Sequence, residues 1–177
     1  MVTTSSIDGS GLANEARRGD ESAFDSLVGP LIEPAFRLAA VMLRDPDEAR
    51  DAVQEATIKA WQGLARLRDE SAVRQWFFAI VANQCRSVRR GRWFSVVRLP
   101  SFPRERRPDD SSDAALDLER ELAALPQTDR AALFLFFYLD LPLKEVARVL
   151  GISPQAAKSR VHRAVTRLRL GMVEVEA

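Results

Sequence analysis

With 177 residues, 46% of them apolar and 29% charged, the chain has room for one ordinary domain or two small ones. A formal net charge of only +1 excludes a uniformly basic nucleic-acid glue. One Cys excludes an internal disulfide, and one Cys with one His is a poor basis for a zinc or other transition-metal site.

The charge is segregated instead. Residues 86–107 carry +7, residues 108–124 carry −5, and residues 144–169 carry +6. Two basic blocks around an acidic one suggest two separate nucleic-acid contacts. Residues 1–11 are polar, lack the basic-then-apolar pattern of a secretory signal and read as a mobile tail. No single run approaches the ~18 to 20 apolar residues of a membrane helix. Helical periodicity dominates throughout, without sustained strand alternation or internal repeat.

The first helical block covers residues 21–90. Ala23, Phe24, Leu27 and Val28 share a helical face, which Gly29-Pro30 is expected to break. Leu31, Ala35, Phe36, Leu38, Ala39 and Met42 continue the core in another helix. Asp45-Pro46-Asp47 opens the next, with acids near its N-terminus as the helix dipole favours. There Val53, Ala56, Ala60, Trp61 and Leu64 form one face, and Asp51, Gln54, Glu55 and Ile58 the opposite stripe. An apolar Ile58 among acids suits a protein partner, although a stray surface isoleucine is common. Ser71 is a candidate cap for a helix running to about Arg90. Its first half is apolar (Val73, Trp76, Phe77, Phe78, Ile80, Val81) and its second half basic (Arg86, Arg89, Arg90).

Residues 91–115 read as a Pro- and charge-rich linker. Trp93, Phe94 and Phe102 among its arginines can stack on bases or dock against a domain. Asp109, Asp110 and Asp113 read as a solvated acidic turn, since no calcium-loop spacing surrounds them.

The second block covers residues 116–170. Thr128 is a candidate cap for an apolar helix over residues 131–138, expected to lie buried behind a helix-turn-helix. In that motif Leu143, Val146, Ala147 and Leu150 give a first helix one apolar face. Gly151 fits the left-handed position that ends a helix, Ser153 fits an N-cap and Pro154 fits the first helical position. The second helix turns Val161, Ala164, Val165 and Leu168 inward. Its outward face has Gln155, Ala156, Lys158, Ser159, His162 and Arg163, a mix of base-reading and phosphate-reading types.

Taken together, these stretches resemble a bacterial sigma factor of the extracytoplasmic-function group, within the sigma-70 family. The resemblance covers about residues 21–170 and rests on three stretches in order. Asp51-Ala52-Val53-Gln54-Glu55 with Ala60-Trp61 resembles the helix that grips the β′ coiled coil of RNA polymerase. Trp76-Phe77-Phe78-Ala79-Ile80 with Asn83 resembles the helix that recognises the −10 promoter element. Leu125-Pro126 and Arg130, followed by Lys158-Ser159-Arg160-Val161-His162-Arg163-Ala164, resemble the domain that reads the −35 element. Ala82 and Ser87 depart from the pattern, where many relatives have an Arg and an acid.

The resemblance implies an all-α protein: two small helical domains joined by a flexible linker, the second containing the helix-turn-helix. The implied division is a disordered tail (1–15), a region 2-like domain (16–92), a linker (93–115), a region 4-like domain (116–170) and a tail (171–177). It implies −35 contacts from Pro154, Gln155, Ala156, Lys158, Ser159, Arg160, His162 and Arg163. For the −10 element and strand opening it implies Arg66, Arg68, Arg74, Trp76, Asn83, Arg86, Arg89 and Arg90. In that scheme the loop over residues 67–73 captures a base from the exposed strand. Asp51, Gln54, Glu55 and Ile58 would face the polymerase. Implied partners are core RNA polymerase, through its β′ coiled coil and β flap, and promoter DNA. The family often pairs with an anti-sigma factor, which nothing in this sequence shows. No cofactor, bond chemistry or membrane insertion is implied, and the location is the cytoplasm.

Two other classes compete. A helix-turn-helix regulator binding operators as a dimer accounts for the second block and leaves the acidic stripe of the first without a use. A nuclease lacks a nucleophile–base pair or glycine-rich phosphate loop.

Overall fold

The structure is a computed structural model that describes residues 9–67, 69–95 and 120–175, without side chains for 9–10, 70, 92–95 and 170–175. The described residues are helices and turns, with no strand among them. They form two compact units, Met1–Cys85 and Arg86–Ala177.

The first unit begins earlier than its composition suggested. Residues expected in a disordered tail form α1 (Gly9–Arg17), because Ala13 and Ala16 are small enough to bury against the next helix. That helix, α2 (Glu21–Leu43), is capped by the Asp20 side chain, which accepts from the Ala23 amide at 3.0 Å. The Ser22 hydroxyl and then this amide hold the exposed Asp20 carboxyl below its ordinary pKa.

The break expected at Gly29-Pro30 does not occur; α2 runs through both Pro30 and Pro34. A residue before proline resists the helical region largely because of its Cβ, and Gly29 has none. Burial of Val28, Ala35, Leu38, Ala39 and Met42 on the same helix outweighs the local penalty. Joined across the prolines, α2 becomes long and apolar enough, by length and composition, to cross a membrane, with a mean hydropathy of 1.4 over its best window. The core helix of a soluble protein passes the same test, and the apolar face of α2 is packed within the first unit.

Packed on α2 is α3 (Pro46–Gly63). Asp45 accepts from the amides of Asp47 and Glu48, at 3.0 and 3.1 Å, and Pro46 takes the first turn. Ala49, Ala52, Val53, Ala56 and Ala60 are buried, and Trp61 meets Phe24 edge-on at 5.1 Å between ring centroids. A 3₁₀ turn (Leu64–Arg66) and a second one (Glu70–Ala72) lead to α4 (Val73–Ser95). Ser71 does not cap α4. It lies inside the second 3₁₀ turn, where Asp69 accepts from its amide at 3.0 Å and its hydroxyl at 2.6 Å. Phe77, Phe78, Val81, Ala82 and Cys85 of α4 are fully buried.

In the second unit, residues 120–124 are helical up to the Leu125-Pro126 break. α5 (Gln127–Leu133) continues into a π-helical turn (Phe134–Tyr138), closed by the Leu139 amide on the Phe134 carbonyl at 3.1 Å. Thr128 does not cap α5, whose capping position is Pro126. The segment expected to lie buried is two-sided: Ala131, Ala132, Leu135 and Leu139 are core, while Phe137 and Tyr138 are exposed. The π turn causes this, since one extra residue per turn rotates the last aromatics off the inward face. Asp140, in the left-handed region at φ 51°, turns the chain toward α6 (Leu143–Leu150). The last helix, α7 (Pro154–Val175), packs on α5 and α6 and extends into the stretch expected to be a tail.

Gly151 has φ 64° and nothing closer than 4.0 Å to the place of a Cβ, so substitution there strains the backbone without a clash. Gly91 lies within α4 with open space beside it. Gly151→Ala is therefore expected to lower stability by about 1 to 2 kcal/mol. Gly91→Ala is expected to raise it by about 0.5 to 1 kcal/mol. Urea unfolding of the two variants beside the unaltered chain checks both signs.

Candidate nucleic-acid interface

The corner between α6 and α7 is built by backbone chemistry. The Gly151 amide bonds the Arg148 carbonyl at 3.2 Å and the Ile152 amide bonds the Ala147 carbonyl at 3.0 Å. These two bonds are a Schellman ending, which satisfies carbonyls the helix cannot. Two residues on, the Ser153 hydroxyl accepts from the Ala156 amide at 3.1 Å and starts α7. One helix thus stops and the next begins within three residues. Ala147, Ala157 and Ala164 are buried, and their small side chains let the helices approach closely.

Burial on one side sets the other side of α7. Ala157, Val161 and Ala164 face inward. Pro154, Gln155, Lys158, Ser159, His162 and Arg163 are exposed, and Ala156 is half-buried. Lys158 and His162 border a shallow groove of about 300 Å³ floored by Phe136, Leu143, Val161 and Val165. The exposed set offers amide, hydroxyl, imidazole and cationic groups on one helical surface, the requirement for reading a major groove.

Arg160 departs from its expected place on this surface. Its Nη1 donates to Thr128 Oγ1 at 2.6 Å and to Asp129 Oδ1 at 3.1 Å, and 27% of its side chain is exposed. Arg163 leans the same way, its Nη2 3.3 Å from Asp129 Oδ1, but 55% of its side chain remains in solvent. Asp129, with a side chain 3% exposed, is the common acceptor. Beside it Arg130 is buried and donates to the carbonyls of Leu125 at 2.9 Å and of Leu122 and Ala123 at 3.4 Å, tying the start of α5 to the preceding turn. The sequence reading missed Asp129 altogether and missed Thr128 as its companion. The available signal was an acid in the first turn of an apolar helix, with two arginines three residues apart on a later one.

In the first unit, the turn before α4 is held from outside. Arg17 of α1 donates to the Leu67 carbonyl and, at 3.0 Å, to Asn14 Oδ1. Arg66 and Arg74 are exposed, and the Arg74 guanidinium lies 5.9 Å from the Phe78 ring centroid. Trp76 is half-buried, and a Cβ on Gly63 would lie 3.3 Å from its Cζ2. Asn83 is exposed on α4, whereas Arg68 lies outside the described residues. Arg86 donates to the Leu150 carbonyl at 3.1 Å and Arg89 to Gln127 Oε1 at 2.9 Å, both within the second unit. Arg90 is exposed and donates to Ser87 Oγ at 3.2 Å. On α3, Asp51, Gln54, Glu55 and Ile58 are all exposed, Ile58 by 45%. No cluster of His, Cys, Asp and Glu suited to a metal occurs among the described residues.

Comparison with known proteins places these surfaces in a family context. Residues 27–94 match the model of sigma-70 region 2, and residues 115–168 match that of sigma-70 region 4. The chain is 31% identical over 151 residues to the ECF RNA polymerase sigma factor SigM of Mycobacterium tuberculosis, covering 85% of this chain and 77% of that one. It is 32% identical over 176 residues to the ECF RNA polymerase sigma factor ShbA of Streptomyces griseus, covering 89% and 92%. Among solved structures, the sigma factor RpoE in complex with the anti-sigma factor NepR from Bartonella quintana superposes with a TM-score of 0.71 at 23% identity, covering 87% of this chain and 98% of that one. CnrH, in complex with the cytosolic domain of CnrY, gives 0.69 at 26% identity, covering 94% and 97%.

Lys158 and Arg160 therefore separate cleanly in experiment. Lys158→Ala is expected to leave the melting temperature within a degree or so and to reduce the slope of log affinity for duplex DNA against log salt by about 0.9. Arg160→Ala is expected to destabilise the fold by about 1 to 3 kcal/mol, since it removes a donor from a buried carboxylate. Calorimetry and a salt titration of duplex binding measure the two effects.

Proposed function

The chain belongs to the extracytoplasmic-function sigma factors of the sigma-70 family, and from that premise we propose how its surfaces divide the work. A sigma factor binds core RNA polymerase, directs it to specific promoters and helps open the duplex. It acts by binding, and this chain is read as making and breaking no covalent bond. In this division residues 16–92 hold polymerase and the −10 element, residues 116–170 read the −35 element, and 93–115 link them.

The observation that carries the assignment is the pairing of two unlike exposed faces on one chain. An acidic stripe with a solvent-facing isoleucine lies on α3, and a cationic and amide-bearing face lies on α7. Duplex DNA repels the first and attracts the second. The α3 stripe suits a basic-rimmed protein partner, here the polymerase, with Ile58 as the apolar anchor. A regulator that only bound operators would have no use for it. On α7, Lys158 takes phosphate contacts and Arg163 a base-edge contact, with Gln155, Ser159 and His162 adding polar readout and Pro154 and Ala156 close to the backbone. Arg160 serves that face indirectly, from its inward position.

At the −10 element, the turn between Leu67 and Val73 captures a base from the opened strand, with Arg66, Arg68 and Arg74 at its border. Trp76 follows it on α4, and Asn83, Arg86, Arg89 and Arg90 offer a backbone track further along. One of the similar solved structures holds its sigma factor in complex with an anti-sigma factor, which makes such a factor a candidate regulator of this chain. Transcription of a bacterial chromosome puts its work in the cytoplasm.

Glu55→Lys tests the α3 face. The Glu55–Lys59 pair it removes is exposed, at 3.4 Å, and contributes only about 0.3 to 0.5 kcal/mol. The variant is expected to melt like the unaltered chain but to lose co-elution with core RNA polymerase. Unfolding on substitution would show that the face is turned inward. Undiminished co-elution of a folded variant would remove α3 from the polymerase contact.

A further inference from the structure

Asp129 is a buried carboxylate to which the division of work among the exposed faces gives no role. Removing a carboxylate from water costs several kcal/mol unless it is well paired, and an apolar side chain of similar volume often packs as favourably. Stability alone is a weak account of it. Its position offers a better one. Arg160 and Arg163, three residues apart on α7, reach the same Oδ1 at 3.1 and 3.3 Å, and Arg163 Nε approaches Oδ2 at 3.4 Å. Thr128, beside Asp129 on α5, takes the same Nη1 of Arg160.

We propose that Asp129 is a positioning and specificity-determining residue: from α5 it clamps Arg160 and Arg163, fixing the rotation of the recognition helix and withholding cations from indiscriminate phosphate binding. The proposal rests on the reading of α7 as the duplex-contacting helix. Two tethers from one buried point oppose both rotation and sliding of α7. A slip of one residue would turn the helix by about 100° and replace the face carrying Gln155, Ser159 and His162. The clamp also sets charge. The salt slope counts phosphate contacts, and a guanidinium drawn to Asp129 makes none, so the clamp takes Arg163 out of that count. Arg163, half in solvent, is the member that phosphate would otherwise claim. Phosphate contacts raise affinity for every sequence equally, so a restrained Arg163 favours discrimination over grip.

The test uses the full chain, a random-sequence 30-base-pair duplex and a duplex selected by the holoenzyme from a randomised library. Affinity is measured against salt, and the melting temperature in parallel. Lys158→Ala is expected to lower the salt slope by about 0.9, and Arg163→Gln by much less, because Arg163 is already compensated. Asp129→Asn is expected to steepen the slope by about 0.9, so that affinity for random duplex falls about threefold more than wild type between 50 and 200 mM salt. Its preference for the selected duplex should narrow. Asp129→Glu, which keeps the charge, should hold the wild-type slope, and Asp129→Asn with Arg163→Gln should return to it.

A merely structural Asp129 would change melting and leave slope and preference alone, which overturns the proposal. So does an Arg163→Gln slope change equal to that of Lys158→Ala, a comparison that holds even if Asp129→Asn does not fold. A wild-type chain that binds neither duplex in the holoenzyme overturns the duplex-reading assignment itself, and the clamp with it.

Discussion

Close packing of helices over alanine is the constraint on which the rest of this structure depends. Ala13, Ala35, Ala39, Ala49, Ala56 and Ala60 are fully buried in the first unit, and Ala131, Ala132, Ala157 and Ala164 in the second. Alanine contributes little area, so each helix must bring its neighbour's backbone close to gain enough contact. That requirement fixes which stripe of each helix is spent on the core. The stripes left outside are then available to partners: acids and Ile58 on α3, amides and cations on α7. A helix that slid by one residue would lose its core contact and its functional face together.

Much of this is legible in the amino-acid sequence, and most clearly at the ends of helices. Gly151, Ser153 and Pro154 announce the corner of the helix-turn-helix, because each residue type answers a local backbone need. Asp45-Pro46 announces α3 for the same reason. The α3 face is equally readable, since a 3.6-residue period separates Val53, Ala56 and Ala60 from Asp51, Gln54, Glu55 and Ile58.

What the sequence hides depends on partners distant along the chain. Thr128 and Ser71 look like caps but spend their hydroxyls elsewhere, on Arg160 and Asp69. Arg160 looks like a phosphate ligand until Asp129, thirty-one residues away, is placed beneath it. α1 is hidden because its polar composition outweighs the two alanines that dock it. The helix through Pro30 is hidden because the local penalty is visible and the burial that overrides it is not. In each case the local chemistry is real and the tertiary partner decides.

Under the proposed division of work, this chain chooses the site and the polymerase supplies the strong binding. A net charge near zero and an α7 with two of its arginines restrained fit a protein that holds DNA only weakly by itself. The most direct test is transcription in vitro with core RNA polymerase on a library of randomised promoter fragments. The account predicts transcripts only when the chain is added, from templates sharing two short elements at a fixed spacing. Transcription unchanged by the chain, or enrichment without polymerase of a single palindromic element, would contradict it.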